Sequence, residues 1–209
     1  MRGAPVGPAD LRIPLSEPGM RIGLFGGSFN PPHGGHRLVA HTALRRLRLD
    51  RVWWMVTPGN PLKDHGALRP IEDRIAASRA LVDDPRIVVT ALEAAIDTRF
   101  TADTLSVLQR RRPGVSFVWI MGADSLAGFH RWDRWRDIVD TMPIAVIDRP
   151  EATLSALASP MARSQARTRQ RERDAAALAG RPAPAWVFLH GPLSPLSSTA
   201  LRAGSGSSS

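Results

Sequence analysis

The sequence predicts an α/β fold, with a doubly wound parallel sheet in a single domain. Short apolar runs alternate along the chain with longer amphipathic stretches, an order typical of parallel strands joined by helices on both faces of a sheet. The 209 residues are 43% hydrophobic, enough for one core of ordinary size. The first apolar run leads directly into a glycine-rich loop, at the position where sheets of this class bind ligands.

Six apolar runs are predicted to be strands, because each is short and is bounded by Gly, Pro or charged residues. They cover residues 21–25, 51–56, 86–90, 115–121, 143–148 and 185–190. The stretches between them are predicted to be helices over 35–49, 71–84 and 101–113, with one or two short helices between 122 and 135. Thr101 is expected to cap the third helix, and Pro113 to end it.

The two ends of the chain differ in composition from the part between them. Residues 1–20 are rich in Pro and Gly and lack the apolar centre of a secretory signal, so we expect a flexible extension. The domain is expected to span 21–202, followed by a flexible Gly/Ser tail at 203–209. The Arg- and Ala-rich segment of about 150–183, with one helical stretch, is predicted to be an insertion on the rim of the sheet rather than a second domain.

Composition excludes several kinds of site. The chain has no cysteine, which rules out disulfides, thiolate metal sites and a cysteine nucleophile, and is typical of a cytoplasmic protein. It has no run of about 18 apolar residues, so we expect no membrane span. The oligomeric state is left open by the sequence, which is compatible with a homo-oligomer.

The formal net charge of +9 suggests an anionic partner. Arginines cluster at 45–51, 110–112 and 163–173, but without the interleaved aromatic side chains of a single-strand binding surface. We therefore favour solvated helix faces and expect no nucleic-acid partner. Lys63 is the only lysine among 28 basic residues, which suggests that its position requires a compact ammonium rather than a planar guanidinium.

The loop within GLFGGSFNPPHGGH, residues 23–36, is the most informative local feature. Its glycines allow close backbone approach, and free amides at the start of the following helix can hold phosphate oxygens, with His33 and His36 as further donors. A metal site on these two histidines would need a third ligand, and His41 falls on a different helix face. A purely structural turn is the other alternative, whereas the G-x-G-x-x-G spacing of dinucleotide sites is not met. We favour the phosphate site.

At these residues the chain resembles the nucleotidyltransferases that carry an (H/T)xGH signature, and more narrowly the bacterial nicotinate-nucleotide adenylyltransferase family. Four further stretches support the narrower resemblance in the expected order: TPGNPLK (57–63), FTADTL (100–105), MGADSLAGFHRW (121–132) and SSTALR (197–202). The resemblance covers about residues 21–202 and implies a Rossmann-like nucleotidyltransferase fold.

The resemblance also implies a reaction. The phosphate of nicotinate mononucleotide would attack the α-phosphorus of ATP in line, giving deamido-NAD and pyrophosphate, a step of NAD biosynthesis. No covalent enzyme intermediate is implied, so the protein would contribute position and charge. Mg²⁺ is expected to accompany the ATP.

Roles for individual residues follow from the same resemblance. The catalytic group comprises His33, His36, Lys63 and Arg202. The ATP-binding group comprises Gly26, Gly27, Ser28, Phe29, Gly122, Asp124, Ser197, Ser198 and Thr199. The group that binds nicotinate mononucleotide comprises Phe100, Thr101, Asp103, Arg131 and Trp132. No side chain is assigned as a metal ligand.

Two of these roles have structural alternatives. Trp132 would stack on the pyridine ring, while the amides around Phe100 and Thr101 would meet the nicotinate carboxylate; Trp132 could instead be a core tryptophan. Asp103 could simply be a first-turn acid that stabilises its helix.

Two alternative functions are compatible with the sequence. Another adenylyl- or cytidylyltransferase of the same fold, acting on nicotinamide mononucleotide or a phosphopantetheine substrate, would use the same glycine loop. A non-catalytic RNA- or nucleotide-binding module would rely on the arginine runs instead.

Overall fold

The computed structural model describes residues 7, 10–58, 68–98 and 100–191, and these form one seven-stranded sheet. The strands are β1 (Arg21–Gly27), β2 (Arg51–Val56), β3 (Ile87–Thr90), β4 (Ser116–Gly122), β5 (Ile144–Ile147), β6 (Arg169–Gln170) and β7 (Trp186–Leu189). Their order is β3-β2-β1-β4-β5-β7-β6, and every pair is parallel. The predicted α/β class with a parallel sheet is confirmed.

Helices cover both faces of this sheet. The α-helices are α1 (Gly34–Arg46), α2 (Ile71–Leu81), α3 (Leu92–Ala95), α4 (Thr101–Arg111), α5 (Ala123–Gly128), α6 (Trp135–Thr141), α7 (Thr153–Leu157) and α8 (Pro160–Ser164). Short 3₁₀ helices span Phe129–Arg131, Ala166–Thr168 and Glu172–Gly180.

Two apolar layers hold the helices to the sheet. Successive strand residues point to opposite faces, so Leu24 and Phe25 belong to different layers. The layer of Leu24 includes buried side chains of α3 to α8, whereas that of Phe25 includes those of α1, α2 and the last 3₁₀ helix. Both faces of the strands are therefore buried, which explains why the strand sequences are continuous apolar runs.

The strand order reverses direction at β1, which has β2 on one side and β4 on the other. Connections therefore leave the carboxyl ends of β1 and β4 toward opposite faces and open a crevice between them. The register pairs Phe25 with Ile120, so the loops that follow these two strands begin side by side. This is where the fold places the candidate site.

Several local predictions differ from the structure. The strand β6 was not predicted, because its two residues are Arg and Gln and carry no apolar signal. The short helices α3 and α6 were also missed. Thr101 is the first helical residue of α4 and Phe100 occupies the capping position, so the predicted threonine cap is wrong by one residue.

The segment of about 150–183 contributes more than one helical stretch. It forms α7, α8, two 3₁₀ helices and the edge strand β6, and Ala156 and Leu178 from it are buried in opposite apolar layers. The predicted domain limits themselves, including the extension at 1–20 and the tail at 203–209, stay predictions. Of the extension, Asp10 is buried, and its carbonyl accepts the Ala91 N–H at 2.8 Å.

Within the described ranges, the helices are too short and too polar to cross a lipid bilayer.

Candidate active site

The glycine loop makes a tight turn between β1 and α1. A Cβ on Gly26 would lie 2.6 Å from the Trp119 ring, so the close approach of these strands requires glycine there. Phe29 has a φ of 45°, in the left-handed region that a bulky residue rarely adopts. Its ring is buried and packs edge-on against Phe25, with centroids 5.3 Å apart. Packing of the ring thus holds the loop in a strained shape, as is common at functional sites.

His33 and His36 form a reciprocal cap on the first turn of α1. The Gly35 N–H donates to His33 Nδ1 at 3.1 Å, and the His33 N–H donates to His36 Nδ1 at 3.3 Å. The two rings lie 3.7 Å apart between centroids. Since an Nδ1 that accepts cannot carry a proton, each neutral ring has its proton on Nε2. Both histidines therefore present one N–H donor beyond the helix cap.

The protonation state of His33 follows from its surroundings. Burial lowers the pKa of His33 to about 4; the charge of Arg149 adds to this, and that of Asp124 opposes it. At neutral pH the imidazole is therefore uncharged. It can donate a hydrogen bond to an anion, but the positive charge of the site has to come from elsewhere.

Asp124 and Arg149 lie at the carboxyl ends of the neighbouring strands β4 and β5. The Arg149 Nε lies 3.9 Å from Asp124 Oδ1, and the Arg149 side chain is only 11% exposed. Gly122 makes room for both, because a Cβ there would lie 2.4 Å from Asp124 Oδ1 and 3.4 Å from Arg149 Cγ. Asp148 accepts the Arg149 N–H at 2.9 Å and so fixes its backbone. A carboxylate and a guanidinium are thus brought beside His33.

Trp119 lies between the glycine loop and the predicted stacking residue. On one side its ring packs close to Gly26. It also packs edge-on against the Trp132 ring, with centroids 6.2 Å apart. Trp132 is half-buried and also packs on Phe129 at 5.2 Å. The structure therefore brings Trp132 to the same end of the sheet as the loop, and part of its surface remains accessible.

The start of α4 carries the other residues predicted for the mononucleotide. Phe100 occupies the position before α4 and is 38% exposed, and Thr101 is the first residue of the helix. Because N–H groups at the start of a helix have no carbonyl partner within it, those of Phe100 and Thr101 can donate to another group. Asp103 forms an ion pair with Arg134, with Oδ1 2.6 Å from Nη2, which links α4 to α6. This contact gives Asp103 a structural partner, and its role in binding the mononucleotide stays a prediction. Arg131 is exposed at the end of the 3₁₀ helix after α5.

Comparison with known proteins identifies the family. The sequence model of the Cytidylyltransferase-like family matches residues 24–204. A relative from Methylorubrum extorquens (strain PA1), named a probable nicotinate-nucleotide adenylyltransferase, is 64% identical over 183 residues, covering 88% of this chain and 99% of the relative. A relative of the same name from Brucella abortus (strain 2308) is 61% identical, with 88% and 94% of the two chains covered. The chain belongs to the nicotinate-nucleotide adenylyltransferase family.

A solved structure with low sequence identity has the same fold. The Plasmodium falciparum nicotinic acid mononucleotide adenylyltransferase complexed with NaAD superimposes with a TM-score of 0.66 at 16% identity, covering 88% of this chain and 83% of that one. The resemblance that the five motifs indicated, the nucleotidyltransferase fold and the enzyme class are confirmed.

Part of the family's motif set falls outside the described residues. Lys63 lies there, as do Ser197, Ser198, Thr199 and Arg202. Their roles stay predictions from the sequence.

Two arginines of the site were missed by sequence reasoning. Arg149 directly follows an apolar strand in AVIDRP, and a charged residue at the carboxyl end of a parallel strand is the signal that could have identified it. Arg74 is buried beneath the glycine loop, but in IEDRIAAS it reads as an ordinary surface arginine of an amphipathic helix. Its role depends on carbonyl groups that are distant in sequence.

Proposed function

We propose that the chain transfers the adenylyl group of ATP to nicotinate mononucleotide, producing deamido-NAD and pyrophosphate. An oxygen of the mononucleotide phosphate forms a bond to the α-phosphorus, while the bond from that phosphorus to the β-bridging oxygen breaks and pyrophosphate leaves. The observation that carries the proposal is the His33–His36 cap, which presents two Nε2 donors at the start of α1. Family membership supports the choice of substrates.

The phosphate site would combine neutral donors with fixed charge. Negative charge builds up on the bridging and equatorial oxygens as the bond to the leaving group breaks, and fixed donors stabilise it without having to reorganise. His33 and His36 would donate from Nε2, and the N–H groups of Gly26 to Phe29 would line the floor. Arg149 would supply the positive charge that His33 lacks at neutral pH.

The remaining ATP contacts are proposed from the motifs. Gly122 permits close approach, and the Asp124 side chain is 58% exposed, so its carboxylate is accessible to a ribose hydroxyl. Lys63, Ser197, Ser198, Thr199 and Arg202 would contact the triphosphate, with Arg202 on the leaving pyrophosphate.

Recognition of the pyridine would take place at α4 and the 3₁₀ helix after α5. The N–H groups of Phe100 and Thr101 are suited to a carboxylate, because the first turn of a helix has free donors and a positive dipole end. The accessible part of Trp132 would stack on the ring, with Arg131 beside it. A carboxylate ligand explains why a helix start, rather than a carbonyl-rich loop, lies at this position.

Mg²⁺ would neutralise the triphosphate and polarise its oxygens. In the described part of the chain, no group of three or more His, Asp or Glu side chains is arranged to hold a metal ion. We propose that the donors to Mg²⁺ are triphosphate oxygens and water. We further propose residues 21–202 as one catalytic domain acting in the cytoplasm.

The proposal is tested by incubating the protein with ATP, Mg²⁺ and nicotinate mononucleotide and identifying the products by mass. Deamido-NAD and pyrophosphate in equal amounts are expected. Pyrophosphate formed without a dinucleotide would indicate ATP hydrolysis and contradict the proposal.

A further inference from the structure

Arg74 of α2 is a buried cation that donates four hydrogen bonds to backbone carbonyls. It is 2% exposed. Its Nη1 donates to Ser28 O at 2.8 Å and to Thr57 O at 2.7 Å, its Nη2 to Pro58 O at 3.2 Å, and its Nε to Arg69 O at 2.9 Å. One guanidinium therefore joins the glycine loop, the residues after β2 and the turn before α2.

The choice of residue type is informative. Burial of a charge is costly, and here burial lowers the pKa of Arg74, with the carboxylate of Glu72 opposing it. An apolar side chain would fill the same space without that cost, but it would leave four carbonyls without this donor. Only arginine has five N–H donors in a rigid planar arrangement. The geometry thus indicates that holding these carbonyls is what this position requires.

The contact with Ser28 fixes an amide of the phosphate site. In a planar trans peptide the C=O and the N–H point in opposite directions, so anchoring Ser28 O also sets the direction of the Phe29 N–H. Phe29 is the residue with a φ of 45°, a conformation that persists only when its surroundings hold it. Arg74 holds the carbonyl of the Ser28–Phe29 peptide, which directly precedes Phe29.

Two neighbouring hydrogen bonds join the same segments. The Thr57 N–H donates to Gly27 O at 3.0 Å, and the Arg69 N–H donates to Asn30 Oδ1 at 3.3 Å. Both lie on the glycine loop, one on each side of Ser28. The loop is therefore held at Gly27, Ser28 and Asn30. Arg74 supplies the only charged side chain among these three hydrogen bonds in the described residues.

We propose that Arg74 is a positioning residue for ATP: it holds the Ser28–Phe29 peptide so that its N–H faces the phosphates, and it acts only through the carbonyls. The effect on ATP rests on the proposed function. The effect on the loop does not.

The test is Arg74→Lys, which keeps the charge but cannot reach four carbonyls with one ammonium. The matched control is Arg79→Lys on the same helix, whose side chain is 49% exposed and pairs with Asp10. Deuterium uptake by peptides covering residues 24–36 and the KM values for ATP and nicotinate mononucleotide are measured for both variants. We expect faster uptake and a KM for ATP raised roughly tenfold in Arg74→Lys, with the KM for the mononucleotide within about twofold. The control should match the wild type.

Unchanged deuterium uptake, or KM values that rise by the same factor for both substrates, would overturn the proposal. If Arg74→Lys does not fold, Arg74→Gln, which retains two N–H donors, is measured in the same way. If the wild type forms no deamido-NAD, the proposed function fails, whereas the uptake comparison still decides whether Arg74 positions the loop.

Discussion

His33 and His36 each accept a backbone N–H on Nδ1, and their rings lie 3.7 Å apart at the start of α1. One arrangement thereby does two things: it caps the helix and it selects the tautomer with a proton on Nε2. Because the groups that donate to the two Nδ1 atoms are backbone N–H groups of the same turn, the direction of both Nε2 donors is fixed by the helix itself.

Replacement of His36 should separate catalysis from folding. His36→Ala removes one Nε2 donor and half of the cap, so we expect kcat to fall by about 10²-fold or more, while the free energy of unfolding falls by about 1 kcal/mol. Steady-state kinetics and thermal unfolding measure the two effects. His41→Ala on the same helix is the control, since His41 pairs with Asp83 on the surface at 2.8 Å. An unchanged kcat in His36→Ala would refute the role of the pair.

The lowered pKa of His33 makes a prediction about acid stability. Its folded value of about 4 lies below the ordinary 6.5, so the unfolded chain binds the proton more tightly between these values. The free energy of unfolding contributed by this group is therefore full above about pH 6.5 and falls as the pH drops toward 4. His33→Gln should lose less stability than the wild type on acidification, as followed by Tm. An equal loss in both proteins would contradict the neutral histidine.

The raised pKa of Glu93 predicts the opposite dependence of stability on pH. Burial raises its pKa from 4.5 to about 7, although the Thr104 hydroxyl donates to it at 3.1 Å. The folded protein then binds the proton more tightly, so stability is full below about pH 4.5 and falls as the pH rises through 7. Glu93→Gln should raise Tm at about pH 8 and change it little at about pH 5. A lower Tm at pH 8 would show that the ionised carboxylate stabilises the fold.

Truncation of Trp132 should affect one substrate only. Trp132→Ala removes the proposed stacking surface, so we expect the KM for nicotinate mononucleotide to rise about tenfold with that for ATP unchanged. Trp135→Ala is a matched control, because Trp135 also packs on Phe129, with centroids 6.1 Å apart. Equal effects of the two variants would indicate that Trp132 acts only through packing.

Much of the fold and the centre of the site could be predicted, because their signals are local. Continuous apolar runs mark strands that are buried on both faces, and the glycine loop carries His33 and His36 within a few residues. The strand at Arg169–Gln170 could not be predicted, since it is polar and pairs with β7 at the edge of the described sheet.

The roles of Arg74 and Arg149 were missed for a different reason. Arg74 contacts Ser28, which is 46 residues away, and Arg149 lies beside Asp124 through pairing of β4 and β5. Both roles arise from the tertiary structure. The position of Arg149 after a predicted strand is a weak local signal, whereas no local pattern distinguishes Arg74 from the many other arginines of this chain.

The most direct measurement of the central claim compares kcat/KM for nicotinate mononucleotide, nicotinamide mononucleotide and a phosphopantetheine substrate, each with ATP and Mg²⁺ and with pyrophosphate release as the signal. The proposed carboxylate site at the start of α4 predicts that nicotinate mononucleotide has the highest value, with deamido-NAD as its product. A higher kcat/KM for either of the other two acceptors would contradict the account.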